Sequence, residues 1–139
     1  MNDALTITHL ANSLKDAKLG NGAALTPELI EEDVQVLQVL IEDREEFPVY
    51  VTIDDSQVLC VSYLWQEQEI IPEQREALLE TLLTLNIPMP LSSFSKIGDQ
   101  YIIFGALSTG SDTDVVLHEI ATLSDNTLEA IELMAEYLN

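Results

Sequence analysis

Basic side chains are scarce in this chain. Its 139 residues include five lysines and arginines against 25 aspartates and glutamates, for a formal net charge of −20. The five cations, Lys15, Lys18, Arg44, Arg75 and Lys96, are scattered, so no basic stripe exists to release counterions from a phosphate backbone. The negative field repels nucleic acid and anionic headgroups alike. Nucleic-acid binding is therefore not expected.

Cysteine is limited to Cys60, which excludes an internal disulfide and suits a reducing compartment. Met1–Leu5 lack the basic and apolar regions of a signal peptide. No run approaches the ~20 apolar residues of a membrane span. The longest candidates are broken by Gln38, Ser62 and Gln66. A cytoplasmic protein without direct membrane insertion is expected.

Catalytic and cofactor signatures are missing as well. Neither a dinucleotide-type glycine pattern nor a Walker loop occurs, and no G-x-S-x-G elbow is present. His9 and His118 fall in separate helical segments and Cys60 in a strand, a spacing that supports no zinc set. Cys60 lies among apolar neighbours, as a small core residue does. Asp112-x-Asp114 has the opening of a calcium loop, but Val116 and Leu123 occupy later ligand positions. Carboxylate pairs fall at solvated ends and loops. No metal, cofactor or catalytic residue is assigned, and an enzyme is not expected.

What is present is a core. The chain is 47% hydrophobic despite its charge, whereas disordered chains combine high charge with low hydrophobicity. Residues 1–139 fit a single domain, since domains commonly run ~100–150 residues. The acid either keeps an apolar domain soluble, as on a salt-adapted surface, or steers a basic partner inward.

Ile7, Leu10, Ala11, Leu14 and Ala17 recur at helical spacing after Thr6, a capping residue, with Gly20 as the expected left-handed terminator. Thr26-Pro27-Glu28 resembles the start of a brief helical turn. Val34–Ile41, Pro48–Ile53 and Val58–Trp65 read as strands. Short acidic links, Glu42–Glu46 and Asp54–Gln57, join them into a three-stranded antiparallel meander. Pro72 opens a leucine-rich helix that Asn86 closes before Pro88 and Pro90. Ser92–Ile97 and Tyr101–Leu107 form two strands about Gly98-Asp99. Asp112–Leu138 is helical, with a break allowed near Ser124-Asp125-Asn126. The order α-β-β-β-α-β-β-α, with hairpin connections, implies an α+β fold: an antiparallel sheet with helices packed on it.

Pairing Ile53 with Val58 sets Val49, Val51, Ile53, Val58, Cys60 and Leu64 on one face. Tyr50, Thr52, Leu59, Val61, Tyr63 and Trp65 fall on the other. That second face is apolar enough to support two readings. It is either a partner or dimer surface carrying Tyr50, Leu59, Val61, Tyr63 and Trp65, or the layer that the protein's own helices cover. Alternation does not choose between them.

The element order and the segments PVYVTIDDSQVLCVSYLW, SSFSKIGDQYIIFGALS and LSDNTLEAIELMAEYL resemble the bacterial YjfI-like family of uncharacterised domains. That family resembles the type III secretion chaperone-like fold, also seen in YbjN-like proteins. The resemblance spans nearly the whole chain and rests on structural motifs. It implies an acidic cytoplasmic protein that binds other polypeptides, often as a homodimer, and carries over no active-site residues. The function expected is a non-enzymatic, chaperone-like or regulatory protein-binding module. Its partner is another protein, with basic segments as the natural complement. A self-associating structural subunit and a small-molecule binder are the alternatives.

Overall fold

The computed structural model describes residues 5–139. The alternation of Val, Leu and Ile along the middle of the chain becomes a six-stranded antiparallel sheet of order β1-β2-β3-β4-β6-β5. Its strands are β1 (Leu25–Glu31), β2 (Gln35–Ile41), β3 (Val49–Ile53), β4 (Val58–Gln66), β5 (Ser93–Ile97) and β6 (Gln100–Leu107). Helices α1 (Ile7–Lys15), α2 (Arg75–Leu85) and α3 (Thr113–Met134) complete the α+β plan.

The β3–β4 register matches the sequence expectation. Ile53 pairs with Val58 and Val51 with Cys60. The meander holds one more strand than expected, because Thr26-Pro27-Glu28 lies in β1 and not in a helical turn. Pro27 is tolerated there since β1 is an edge strand, where a missing N–H can face away from the ladder.

Thr6 caps α1 as expected, its hydroxyl accepting from the His9 N–H at 3.2 Å. The helix ends at Asp16 with φ −106° and ψ 3°, and the left-handed glycine is Gly22 (φ +88°) rather than Gly20. Gly98 (φ +57°) turns the β5–β6 hairpin. Pro72 opens a short 3-10 turn, Pro72–Gln74, ahead of α2. Asn86 does not end α2 through a left-handed backbone, having φ −59°. Its side-chain oxygen instead accepts from the Phe94 N–H at 2.7 Å, which ties the helix exit to β5.

Helix α3 runs unbroken through Ser124-Asp125-Asn126. Those polar side chains favour breaks when they bond to nearby backbone, but here tertiary partners engage them. Asn126 donates to the Pro90 carbonyl at 2.9 Å and the Ser92 hydroxyl at 3.0 Å. Arg44 reaches Ser124 Oγ at 3.0 Å and Asp125 Oδ1 at 2.7 Å, fastening the β2–β3 link to the helix. Asp112 caps the start, accepting from the Val115 N–H at 3.0 Å.

Helix α1 packs on β1 and β2, while α3 crosses β3, β4 and β6. The main core lies between them and the sheet: Leu10, Leu14, Leu37, Val39, Val49, Val51, Ile103, Ile120 and Leu123 are all buried. A second cluster at the sheet's end joins Trp65, Ile70, Leu78, Leu82, Tyr101 and Met134, so α2 closes that end against the C-terminal part of α3.

Candidate functional site

The helices take the face that carries Val49, Val51, Val58 and Cys60, all fully buried. Because side chains alternate across a strand, the opposite face is left without a covering element among the described residues. One registered row crosses all six strands on that face: Glu28, Gln38, Tyr50, Val61, Phe104 and Ser93. Beside it, Thr52, Leu59 and Ala106 form a second row, and Tyr63, Ile102 and Ser95 a third, in which Ile102 is buried between its neighbours. Apart from the two tyrosines, Glu28 at the β1 edge is the only ionisable side chain in these rows.

The tyrosines cluster at the centre. The Tyr50 and Tyr63 ring centroids lie 5.2 Å apart with a 41° tilt, a favourable aromatic spacing. Tyr63 is 48% exposed, whereas Tyr50, Leu59 and Val61 are half-buried by their neighbours in the sheet. These four side chains meet on one surface, as the alternation of β3 and β4 requires.

Trp65 does not join them, and its expected place on this face is corrected. The β4–β6 register shifts between Tyr63 and Gln66, and such a bulge breaks the simple two-residue alternation. Trp65 is consequently turned into the second core cluster, 2% exposed. It stacks on Tyr101 at 5.9 Å between centroids. Its indole N–H is buried with no partner among the described residues.

The charged side chains make structural contacts at the sheet's end. Glu67 accepts from Arg75 Nε and Nη2 at 3.1 Å, Lys96 Nζ at 2.8 Å and the Tyr101 hydroxyl at 3.2 Å. The Arg75 and Lys96 hydrogen bonds, in that order, hold its carboxyl down at about 2. Lys96 also lies 5.1 Å from the Tyr101 ring centroid, within cation–π range. Arg44, Arg75 and Lys96 are thus each engaged in an ion pair.

One buried group has no counterpart among the expected site residues. Glu119 of α3 is 2% exposed, and its Oε1 has no hydrogen-bond partner among the described residues. It lies against Gly105 so closely that a Cβ there would overlap Oε1. Burial raises its pKa, with His118 pulling slightly the other way. Gly105 pairs with Cys60, whose thiol is pushed up to about 12, mostly by burial and then by Glu119. A thiol held so strongly protonated is a poor nucleophile.

His9, His118 and Cys60 are not brought into a ligand set, and no group of three or more His, Cys, Asp or Glu suited to a metal occurs among the described residues. The cleft between α2 and α3 is open and mainly apolar, lined by Leu85, Met89, Phe94, Ala130 and Leu133 with Asn126 and Glu129. No described helix is long and apolar enough to cross a membrane.

Comparisons with known proteins agree with this architecture. Residues 4–138 match the family described as "Uncharacterized protein conserved in bacteria (DUF2170)". A 53-residue stretch is 45% identical to the protein YjfI of Escherichia coli K12, covering 35% of this chain and 40% of that relative. The same values hold for YjfI of E. coli O157:H7. The matched stretch thus spans two fifths of those relatives' length.

Two solved structures share the fold. YbjN from E. coli superposes with a TM-score of 0.59 at 15% identity, over 81% of this chain and 84% of that one. A chain of the heterodimeric ExoU–SpcU complex, from the type III secretion system of Pseudomonas aeruginosa, gives 0.55 at 11% identity, over 92% and 97%. The fold is the type III secretion chaperone-like one that the sequence resemblance implies.

Proposed function

We propose that this chain, which belongs to the DUF2170 family of bacterial proteins, is a non-enzymatic protein-binding module of chaperone-like or regulatory kind. The binding surface is the uncovered sheet face, centred on Tyr50, Leu59, Val61 and Tyr63. One observation carries this reading: a chain of net charge −20 keeps three registered rows of one sheet face free of ionised side chains except Glu28. A contiguous apolar surface of that kind marks an interaction site. Tyrosine is enriched at such centres because a large rigid ring carries a polar tip.

The surrounding acid selects among partners. A polypeptide with lysines or arginines flanking apolar residues gains long-range attraction on approach, and that gain weakens as salt screens it. The ExoU–SpcU neighbour is itself part of a complex between two different chains, which is compatible with a hetero-partner here.

Affinity recovery from the native host, with wild-type protein and Tyr63→Asp compared at low and high salt, tests the reading. Wild type should recover one basic polypeptide specifically, with less at high salt, and Tyr63→Asp should lose it while remaining folded. Equal recovery by both proteins would place binding elsewhere. A self-associating subunit would instead show concentration-dependent size with no second polypeptide.

A further inference from the structure

We propose that the partner segment received by this face is an amphipathic α-helix of about four turns, with one apolar stripe flanked by lysines or arginines. The inference rests on the protein-binding reading above and adds the conformation and charge pattern of what is bound.

The sheet's backbone decides the conformation. Strands direct their N–H and C=O groups sideways, within the sheet, so a sheet face offers side chains only. An extended segment laid on that face would bury its own backbone polar groups without partners. A helix arrives with those groups already paired along its axis. This chain covers the opposite face of the same sheet in that way, with α1 and α3.

Strand addition at an edge is the other route for an extended segment, and each edge lacks one of the backbone donors that route would use. On β5 the Phe94 N–H is already taken by Asn86. On β1, Pro27 supplies no donor.

Dimensions and charge define the helix further. The seven residues of β2 extend ~23 Å at ~3.3 Å per residue, a length that about 15 helical residues match at ~1.5 Å each. Acid brackets the apolar rows along the strand direction. Glu32, Asp33, Asp54 and Asp55 are exposed at one end, and Glu45 and Glu46 at the other. A helix with basic flanks satisfies both ends while its stripe meets the neutral rows. A second copy of this chain would bring the same acid into opposition, so its own sheet is the poorer cover.

Three labelled synthetic peptides of leucine and lysine in one fixed composition test the proposal with the full chain. One spaces its leucines at three and four residues, one alternates leucine with lysine, and one is scrambled. Anisotropy should show the helical-period peptide binding at least about tenfold tighter than the others, with a gain in peptide helicity by circular dichroism. Tyr63→Asp should weaken that binding by at least about tenfold while still unfolding cooperatively well above the assay temperature, and Tyr50→Asp serves as a second face variant.

Preference for the alternating peptide with the same Tyr63 dependence would overturn the helix while leaving the binding face intact. Equal binding of the scrambled peptide would reduce the effect to charge and overturn the proposal. A helical peptide indifferent to both face variants would remove the helix and the face together. Dimerisation that Tyr63→Asp abolishes would make a second copy the occupant and contradict the proposal.

Discussion

Trp65→Ala should lower the unfolding free energy by about 3–5 kcal/mol, the usual cost of truncating a large buried aromatic, whereas Tyr63→Ala should change it by less than about 1 kcal/mol. The two residues are neighbours on β4 and chemically alike, so the contrast isolates their positions. Trp65 fills the cluster with Leu78, Leu82, Tyr101 and Met134. Tyr63 stands on the open face at 48% exposure. Trp65→Phe refines the prediction: it keeps most of the packed ring and removes a buried N–H that has no partner among the described residues. It should therefore cost far less than Trp65→Ala, because an unpaired buried donor is itself destabilising. Urea unfolding of the three variants measures all of this. A Trp65→Ala protein as stable as wild type would place the indole outside the core.

Gly105→Ala should destabilise the fold by about 1–3 kcal/mol, the range for forcing an extra methyl into a packed interior. The new Cβ would overlap Glu119 Oε1, and the Leu91 carbonyl oxygen at 3.0 Å limits escape by the backbone. Glu119 is 2% exposed, so its carboxyl has little room to retreat.

The same carboxyl sets a pH dependence. Its folded-state pKa is raised by burial above the ordinary 4.5. Below that ordinary value the group is neutral folded and unfolded alike. As pH rises through the folded pKa, the native state must hold a buried anion and stability falls. Glu67 acts with the opposite sign, since its carboxyl is held at about 2 against an ordinary 4.5. It contributes stability above 4.5 that is lost as pH falls toward 2. Stability against pH should therefore fall on both sides. Glu119→Gln should flatten the loss that sets in as pH rises above 4.5, and Glu67→Gln the loss as pH falls below it. Denaturant titrations across pH check both assignments, and a Glu119→Gln curve parallel to wild type throughout the range above 4.5 would refute the first.

Alternation alone makes much of the sheet legible in the sequence. The pairing of Ile53 with Val58 follows from a short acidic link between two β-branched runs, and it fixes which residues share a face. Strand β1 is hidden because Pro27 interrupts its pattern and because Thr26-Pro27-Glu28 also suits a helix start. Period-two counting misplaces Trp65 since it has no knowledge of a bulge, and the slip past Tyr63 depends on pairing with β6.

The choice of face is hidden for a different reason. Val49 and Val51 compete with Tyr50, Leu59 and Val61 on nearly equal hydrophobic terms, and only the packing of α1 and α3 decides. Glu119 is hidden inside an apolar helical stripe. Its signal is Gly105 within a strand, a residue type that there marks close approach by another group.

Hydroxyl-radical footprinting of the tyrosines and the tryptophan, with and without the basic partner or the helical peptide, measures the central claim most directly. The free protein should be oxidised readily at Tyr63 and scarcely at Trp65 or Tyr101, and the bound protein should lose the Tyr63 signal while Trp65 and Tyr101 stay unchanged. Protection of Tyr63 in the free monomer, or its undiminished oxidation in a saturated complex, would contradict an open sheet face that receives another polypeptide.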